Sequence, residues 1–132
     1  VIGRVGTCNT SQQHGILGEL ERISGTVAPH GSVAHVLQQP WVHNASFDDN
    51  ITFGDAFEPK WYTKVVKACA LTTDIAISQD SDRTLIGDKR VSLWGGQKAR
   101  LALARAVYAD RDIVLLNDYL LAVDAHADKH IF

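Results

Sequence analysis

The sequence predicts an α/β fold that carries a helical insertion. Short apolar runs suited to strands lie in the first and last thirds of the chain, whereas the segment between them has the spacing of amphipathic helices. The composition agrees with a globular fold, since 45% of the 132 residues are hydrophobic, 21% are charged and the formal net charge is -2. These values exclude a disordered chain and a basic nucleic-acid-binding or membrane-binding arm.

The first third of the chain has the pattern strand, loop, helix, strand. The apolar residues 1–2 predict the last residues of a buried strand, which ends at the glycine-containing stretch 3–6. Apolar residues at helical spacing predict a helix over 10–21. Alternation of small or polar with apolar residues predicts a strand over 31–37, which ends before Pro40 because proline lacks a backbone donor.

The middle of the chain has the character of a helical block. A loop over 44–53 leads into a short turn of helix, and apolar residues at helical spacing predict a helix over 58–70. A second short segment follows over 73–78, and the polar stretch 80–90 is rich in turn residues. Cys69 lies on the apolar face of the first of these helices, which predicts a core position.

The last third of the chain predicts a helix followed by a strand. The helix is predicted over 97–108, with Lys98, Arg100 and Arg105 on its polar side. The apolar run 113–116 predicts a buried strand, followed by a turn over 118–124 and a helix from 125 onward. The chain has no Met and has apolar residues at both ends, so we expect both ends to cut through structure and the isolated chain to have low stability.

A glycine-containing loop between the first predicted strand and helix has the context of a phosphate-binding loop. Such a loop needs glycines that turn backbone amides toward phosphate, a lysine for the terminal phosphates and a hydroxyl for Mg²⁺. Two glycines after a strand are also a common turn, so this loop alone leaves both interpretations open. The candidate binding residues of this phosphate loop are Gly3, Gly6, Thr7, Cys8, Asn9, Thr10 and Ser11.

Two further stretches have the character of phosphate or metal sites. A Gly-Gly pair opens the helix over 97–108, where free amides at a positive dipole end suit a phosphate, although a plain turn is the alternative. The strand 113–116 ends in Asn117 and Asp118, which is either a Mg²⁺ site or a strand edge entering a turn. The residues of the first stretch, here called the signature loop, are Leu93, Trp94, Gly95, Gly96 and Gln97.

In combination these stretches stand in the order and spacing of one protein family. The chain resembles the nucleotide-binding domain of an ATP-binding cassette (ABC) transporter, and it looks closest to the first such domain of the multidrug-resistance-associated (C) sub-family of exporters. The stretches that carry the resemblance, besides the phosphate loop, are 16–21, 38–42, 50–54, 67–71, 95–100, 103–108 and 122–126.

The resemblance implies an architecture. It is a P-loop NTPase (ABC ATPase) core with an inserted α-helical subdomain, incomplete at both ends. Residues 1–40 correspond to the first part of the ATP-binding core. Residues 41–104 correspond to the helical subdomain with the signature loop, and residues 105–132 to the second part of the core.

The resemblance also implies roles for single residues. Thr10, Gln38 and Asn117 take the positions that meet Mg²⁺, and Gln38 and Asp118 take the positions that serve catalysis. The signature loop takes the position that touches the γ-phosphate of ATP held by a partner domain. Residues 122–124 match the loop that communicates across the dimer.

The implied function is that of an ATP-binding domain which couples ATP and Mg²⁺ binding and hydrolysis to export of drugs or organic anions. The implied partners are a second nucleotide-binding domain in a head-to-tail dimer and the transmembrane domains, with no nucleic acid. The implied location is the cytoplasmic face of a membrane.

Departures from the family pattern fall on the chemistry. Cys8 replaces a glycine, Asn9 replaces the phosphate-binding lysine, Trp94 replaces a serine, and Asn117 replaces the metal-binding aspartate. Loss of the lysine charge alone predicts nucleotide binding weakened by about tenfold or more. The departures leave ATP hydrolysis by this chain open, and the alternative is a non-catalytic domain that lends its signature loop to a partner site.

Overall fold

A computed structural model describes residues 9–87 and 91–117, with only the backbone of Asn9. The predictions for residues 1–8, 88–90 and 118–132 lie outside the described residues, among them the first strand and the helix from 125. The described elements are α1 (Asn9–Ile16), β1 (Val33–Val36), β2 (Ala45–Ser46), α2 (Phe47–Thr52), α3 (Pro59–Ala68), α4 (Thr72–Ala76), a 3₁₀ turn (Ser81–Arg83), β3 (Leu85–Ile86), α5 (Gly95–Tyr108) and β4 (Ile113–Leu116).

Strands β1 and β4 pair in parallel, with Val33 opposite Ile113 and Val36 opposite Leu116. Parallel pairing needs a long crossover connection, and the helical block of the chain supplies it. The pairing confirms the strands predicted over 31–37 and 113–116. Strand β1 is shorter than predicted at both ends, whereas β4 has the predicted bounds.

Side-chain contacts fix the amino-terminal edge of this strand pair. The backbone N–H and the hydroxyl of Ser32 both donate to Asp112 Oδ2, at 2.7 and 2.8 Å. These hydrogen bonds lower the pKa of the Asp112 carboxyl. Gly31 has a φ of +107°, and a Cβ on it would lie 2.7 Å from the same carboxylate, so this turn requires glycine.

The expectation that 113–116 is a fully buried strand is wrong, because three of its residues are half-buried and one is exposed. Val36 is in the core and Leu116 packs against it, but Val114 is 41% exposed. The core of the described residues therefore reaches the carboxyl half of the β1–β4 pair and leaves part of its amino half uncovered. A continuous apolar run cannot distinguish burial on both faces from burial on one.

Helix α1 is shorter than the predicted 10–21. It ends at Ile16, because Gly18 takes a left-handed conformation with a φ of +76°. The Glu19 N–H donates to His14 O at 2.9 Å and the Gly18 N–H donates to Gly15 O at 3.3 Å, which is the bonding pattern of a Schellman cap. Leu20 is therefore beyond the helix and is 51% exposed. The glycine was the local signal for this end.

The helices predicted over 58–70 and 97–108 are confirmed with small changes of bounds, as α3 and α5, and the short segment over 73–78 overlaps α4. The loop predicted over 44–53 is wrong for most of its length, because strand β2 and helix α2 lie within it. Helix α5 begins at Gly95, two residues before the predicted start. It continues past residue 104, at which the resemblance divides the helical subdomain from the second part of the core. The two-residue strands β2 and β3 pair antiparallel and were not predicted. Within 9–87 and 91–117, the largest fully buried side chains are Phe47, Ile51, Leu71, Ile86, Leu101, Val65, Asn50 and Cys69.

Among the described residues, no helix has both the length and the apolar character needed to cross a membrane.

The Cys69 thiol is 1% exposed, which confirms its predicted core position, and burial raises its pKa to about 12. Since the thiolate is the reactive form, we expect iodoacetamide at about pH 8 to leave Cys69 unmodified in the native chain and to alkylate it after unfolding in guanidinium. Mass spectrometry of tryptic peptides separates Cys69 from Cys8. Equal labelling of Cys69 with and without guanidinium would contradict this expectation.

Candidate functional site

The structure brings together two of the residues predicted to meet Mg²⁺. Thr10 lies in the first turn of α1, and Asn117 follows β4. The Thr10 hydroxyl donates a hydrogen bond to Asn117 Oδ1 at 3.1 Å, across a sequence separation of 107 residues. Asn117 is 5% exposed whereas Thr10 is exposed, so this contact joins a buried amide to the surface of the fold.

A second hydrogen bond holds α1 at the same end of the strand pair. Gln13 Nε2 donates to the Leu116 carbonyl at 2.8 Å, and Gln13 is 6% exposed. Thr10 and Gln13 lie on one face of the helix because residues three apart are neighbours on a helix surface. The amino-terminal half of α1 is thereby fixed beside the carboxyl end of β4. Ligands of parallel α/β sheets bind at this end of the strands.

The oxygen atoms of this contact suit Mg²⁺ in kind but not in charge. Hydroxyl and amide oxygens are hard donors that Mg²⁺ accepts, yet neither Thr10 nor Asn117 carries a negative charge. No group of three or more His, Cys, Asp or Glu among residues 9–87 and 91–117 forms a metal site. The pair therefore fits Mg²⁺ that arrives with the charged phosphates of a nucleotide, because Mg²⁺ is commonly held by few protein ligands together with phosphates.

Gln38 leaves the sheet at the same end as Asn117. The β1–β4 register places Val36 opposite Leu116, and the Asn117 N–H donates to the Val36 carbonyl at 3.1 Å. Gln38 is two residues beyond Val36, and it is exposed. The parallel register thus directs both chain segments out of the same edge of the sheet.

The signature loop forms the start of α5. Leu93 is 6% exposed and belongs to the core, whereas Trp94, the residue before the helix, is 56% exposed. Gln97 Oε1 accepts a hydrogen bond from the Trp94 N–H at 3.2 Å, which satisfies one of the donors at this helix end. A Cβ placed on Gly95 would meet no atom within 4 Å, so the backbone there is open to approach.

The predicted site residues therefore form two groups with different neighbours. The group of Thr10 and Asn117 contacts the end of β4, and the signature loop contacts α4 through Gln97. The predicted site residues Gly3, Gly6, Thr7, Cys8 and Asp118 lie outside the described residues, as do residues 122–124 and the side chain of Asn9.

The sequence did not indicate an aromatic cluster formed by Trp41, in the loop before β2, and Phe53, the residue that follows α2. The Arg105 guanidinium lies 4.1 Å from the ring centroid of Trp41 and 4.9 Å from that of Phe53. Trp41 and Phe53 are 46% and 53% exposed. Burial lowers the pKa of Arg105, while hydrogen bonds to Asn50 and contact with the two rings offset the loss of hydration.

Comparison with known proteins shows which family has this pattern. The chain is 50% identical to the metal resistance protein YCF1 of Saccharomyces cerevisiae (strain ATCC 204508 / S288c) over 99% of its length and 9% of that protein. It is 52% identical to ATP-binding cassette sub-family C member 4 of Mus musculus and 50% identical to multidrug resistance protein mrp-7 of Caenorhabditis elegans. Those two matches cover all of this chain and 10% and 9% of the relatives. The chain is homologous to sub-family C of the ATP-binding cassette proteins.

This homology confirms the resemblance to sub-family C and the expectation of a P-loop NTPase fold. The described part of the chain is a mixed arrangement of helices and short strands, in keeping with that fold class. The chain spans about a tenth of the length of the relatives it matches. No protein-family model matches the chain.

Proposed function

We propose that this chain is the ATP-binding segment of the first nucleotide-binding domain of a sub-family C exporter. ATP binding and hydrolysis in the whole protein would drive export of drugs or organic anions. The observation that carries the proposal is identity near 50% with sub-family C proteins along the whole chain. The contact between Thr10 and Asn117 supports it, because it joins two of the positions to which the resemblance assigns Mg²⁺.

This proposal assigns a role to each residue of the site. The backbone of residues 3–11 would hold the phosphates, Thr10, Gln38 and Asn117 would hold Mg²⁺, and Asp118 with Gln38 would orient water. Bound Mg²⁺ would supply charge that stabilises phosphoryl transfer. Asn9 and Asn117 are neutral where charge would serve this chemistry, so we expect the chain to bind Mg·ATP weakly and to hydrolyse it slowly.

A second function is favoured by the same neutral residues and by the exposed signature loop. In this alternative the chain is a non-catalytic domain, and it lends Trp94–Gln97 to the ATP site of a competent second nucleotide-binding domain in a head-to-tail dimer. Trp94 is 56% exposed at the start of α5, where a partner could reach it. The two functions differ in whether the chain's own site turns over ATP.

The helical block is the part of the chain for which we propose contact with transmembrane domains. We propose that residues 41–104 form a helical subdomain, between core parts 1–40 and 105–132, that docks on transmembrane domains at the cytoplasmic face of a membrane. The exposed rings of Trp41 and Phe53, held by Arg105, give this block an apolar surface for such contact. An aromatic and arginine cluster of this kind is typical of the centre of protein interfaces.

The test is calorimetric titration of the purified 132-residue chain with ATP, with and without Mg²⁺. We expect saturable binding that Mg²⁺ strengthens. Thr10→Val should weaken Mg·ATP binding by about fivefold, the effect of one net hydrogen bond.

Thr52→Val is the matched control, because it removes a hydroxyl that donates to Asp48 O on α2, and it should leave binding unchanged. Absence of saturable binding up to millimolar nucleotide would overturn the proposed function for this chain.

A further inference from the structure

A buried ion pair ties the first turns of α5 to α4. Arg100 Nη2 donates to Asp74 Oδ2 at 2.7 Å, and Gln97 Nε2 donates to Asp74 Oδ1 at 2.9 Å. The side chains of Arg100 and Asp74 are 8% and 12% exposed. Each carboxylate oxygen therefore accepts one hydrogen bond from α5, in surroundings that exclude most water. Hydrogen bonds of this kind are stronger than neutral ones.

Both donors of this network reach back to Trp94 in the signature loop. Gln97 donates to Asp74 with its amide nitrogen, and with its amide oxygen it accepts from the Trp94 N–H at 3.2 Å. The Arg100 guanidinium lies 5.5 Å from the centroid of the Trp94 indole. Asp74 is thus connected to the Trp94 backbone through Gln97 and to the Trp94 ring through Arg100.

We propose that Asp74 is a positioning residue for the signature loop. Its carboxylate fixes Gln97 and Arg100, and these two side chains set the backbone and ring positions of Trp94. The inference rests on the proposed function, in which the signature loop meets ATP bound by a partner domain. Asp74 acts through the loop and is not itself placed at the nucleotide. Presentation of the loop to a partner then depends on a residue of α4.

The geometry requires a carboxylate at position 74. Two donors from α5 approach two different oxygen atoms, and an ionised carboxylate has no donor of its own. An amide has one oxygen and one NH₂ group, so in Asp74→Asn one donor would face another donor. A glutamate at position 74 retains both acceptor oxygens and the charge. Comparison of aspartate, asparagine and glutamate at position 74 therefore distinguishes the effect of charge and number of acceptor oxygens from the effect of side-chain size.

The competing explanation is that Asp74 only adds to the general packing of α4 against α5. Its neighbours Leu71 and Ile75 are buried in the core and supply such packing already. Loss of general packing would loosen the whole of α5. Loss of a positioning contact would loosen the first turn of α5, where Gln97 and Arg100 lie, and leave the last turns unchanged.

Hydrogen exchange measured by mass spectrometry on the 132-residue chain distinguishes a positioning role of Asp74 from general packing. In Asp74→Asn we expect the two hydrogen-bonded amides of the segment 94–98, those of Trp94 and Lys98, to exchange about tenfold faster, the ratio for loss of one hydrogen bond to a charged group. Amides of residues 102–108 should keep their rates, and Asp74→Glu should restore the rates at 94–98. Equal acceleration in both segments, unchanged rates at 94–98, or failure of the glutamate to restore them would overturn the inference.

The matched control is Asp55→Asn, which removes a carboxylate that faces Arg111 at 3.8 Å and is 47% exposed. It makes the same chemical change at an exposed pair, and it should not alter exchange at 94–98. If Asp74→Asn does not fold, Gln97→Ala removes one of the two routes to Trp94 and should accelerate exchange at 94–98 alone. Uniform exchange across α5 in that variant would overturn the inference.

Titration of the same proteins with Mg·ATP keeps this inference apart from the proposed function. Asp74→Asn should leave the affinity of the chain's own site unchanged, because Thr10 and Asn117 are not among its contacts. If the unsubstituted chain binds no Mg·ATP, the proposed function fails while the exchange rates at 94–98 still decide whether Asp74 positions the loop. A parallel loss of nucleotide affinity in Asp74→Asn would count against a role confined to the signature loop.

Discussion

Restoring the two missing charges, by Asn9→Lys together with Asn117→Asp, is expected to strengthen Mg·ATP binding by about a hundredfold. Each substitution adds one charge-assisted interaction with nucleotide or metal, and each such interaction corresponds to a factor of about ten or more. Asn9 begins α1, and Asn117 already accepts a hydrogen bond from Thr10 at 3.1 Å. The aspartate can retain that bond with one oxygen and offer the other to Mg²⁺.

The same change has an expected cost without ligand. Asn117 is 5% exposed, so an aspartate there would carry a charge with little access to water. We therefore expect Asn117→Asp alone to lower the melting temperature of the free chain. Mg·ATP should raise that temperature more in the variant than in the original chain, because a ligand stabilises the state to which it binds more tightly.

The measurements are calorimetric titration with Mg·ATP, thermal unfolding with and without it, and phosphate release. Thr63→Lys with Asn44→Asp is a control that adds the same charges at exposed positions outside the site, and it should not change affinity. Equal affinity in the original and restored chains would contradict the prediction. If the original chain already releases phosphate as fast as the restored one, the non-catalytic alternative fails.

The parts of the fold that the sequence predicted are those with local signals. The strand at 113–116 is a run of aliphatic residues bounded by polar ones, and helix α5 has its apolar residues at helical spacing over four turns. The end of α1 was predicted wrongly, because apolar residues beyond Gly18 suggested a longer helix although that glycine was a local signal for its end. Strands β2 and β3 have two residues each, so no period of two can be recognised within them.

The parts that the sequence did not predict depend on partners far away in the chain. Arg100 was placed on the polar side of its helix, but it is 7% exposed because Asp74, 26 residues earlier, offsets the loss of hydration. The contact between Thr10 and Asn117 spans 107 residues, and only the resemblance to a family linked the two positions. Spacing along a chain carries no information on such pairs until the topology of the sheet is known.

Replacement of the fully buried Asn50 by alanine is expected to lower the free energy of unfolding by about 3 kcal/mol or more. Asn50 Oδ1 accepts from the His43 N–H at 2.8 Å and from Arg105 Nη2 at 3.0 Å. Its Nδ2 donates to the carbonyls of His43 and Ser46, at 2.9 Å each. The Asn50 amide thus joins the chain before α2, the start of that helix and α5. Alanine would leave these partners buried or half-buried without their hydrogen bonds.

Urea unfolding of Asn50→Ala, followed by circular dichroism, measures this loss. Gln39→Ala is the control, since it removes a carboxamide from an exposed position, and it should change the midpoint little. Asn50→Asp adds a sharper test, because it keeps the size but replaces Nδ2 by an oxygen that would face two carbonyl oxygens. We expect this variant to be destabilised as well. Its loss of stability should be smaller than that caused by a buried carboxylate without a cationic partner, because Arg105 is within hydrogen-bond distance.

The consequence of losing Asn50 should extend to the aromatic cluster. Alanine removes Asn50 Oδ1, the acceptor of Arg105 Nη2, and leaves the guanidinium with the bond from its Nε to the backbone carbonyl of residue 50, at 2.8 Å, to hold it beside Trp41 and Phe53. With one of these two anchors gone, we expect the guanidinium to move more freely beside the two rings, and the surface that we propose for docking to lose part of its order. Equal unfolding midpoints for Asn50→Ala and Gln39→Ala would show that the amide network adds no stability, and that other contacts hold Arg105 beside the two rings.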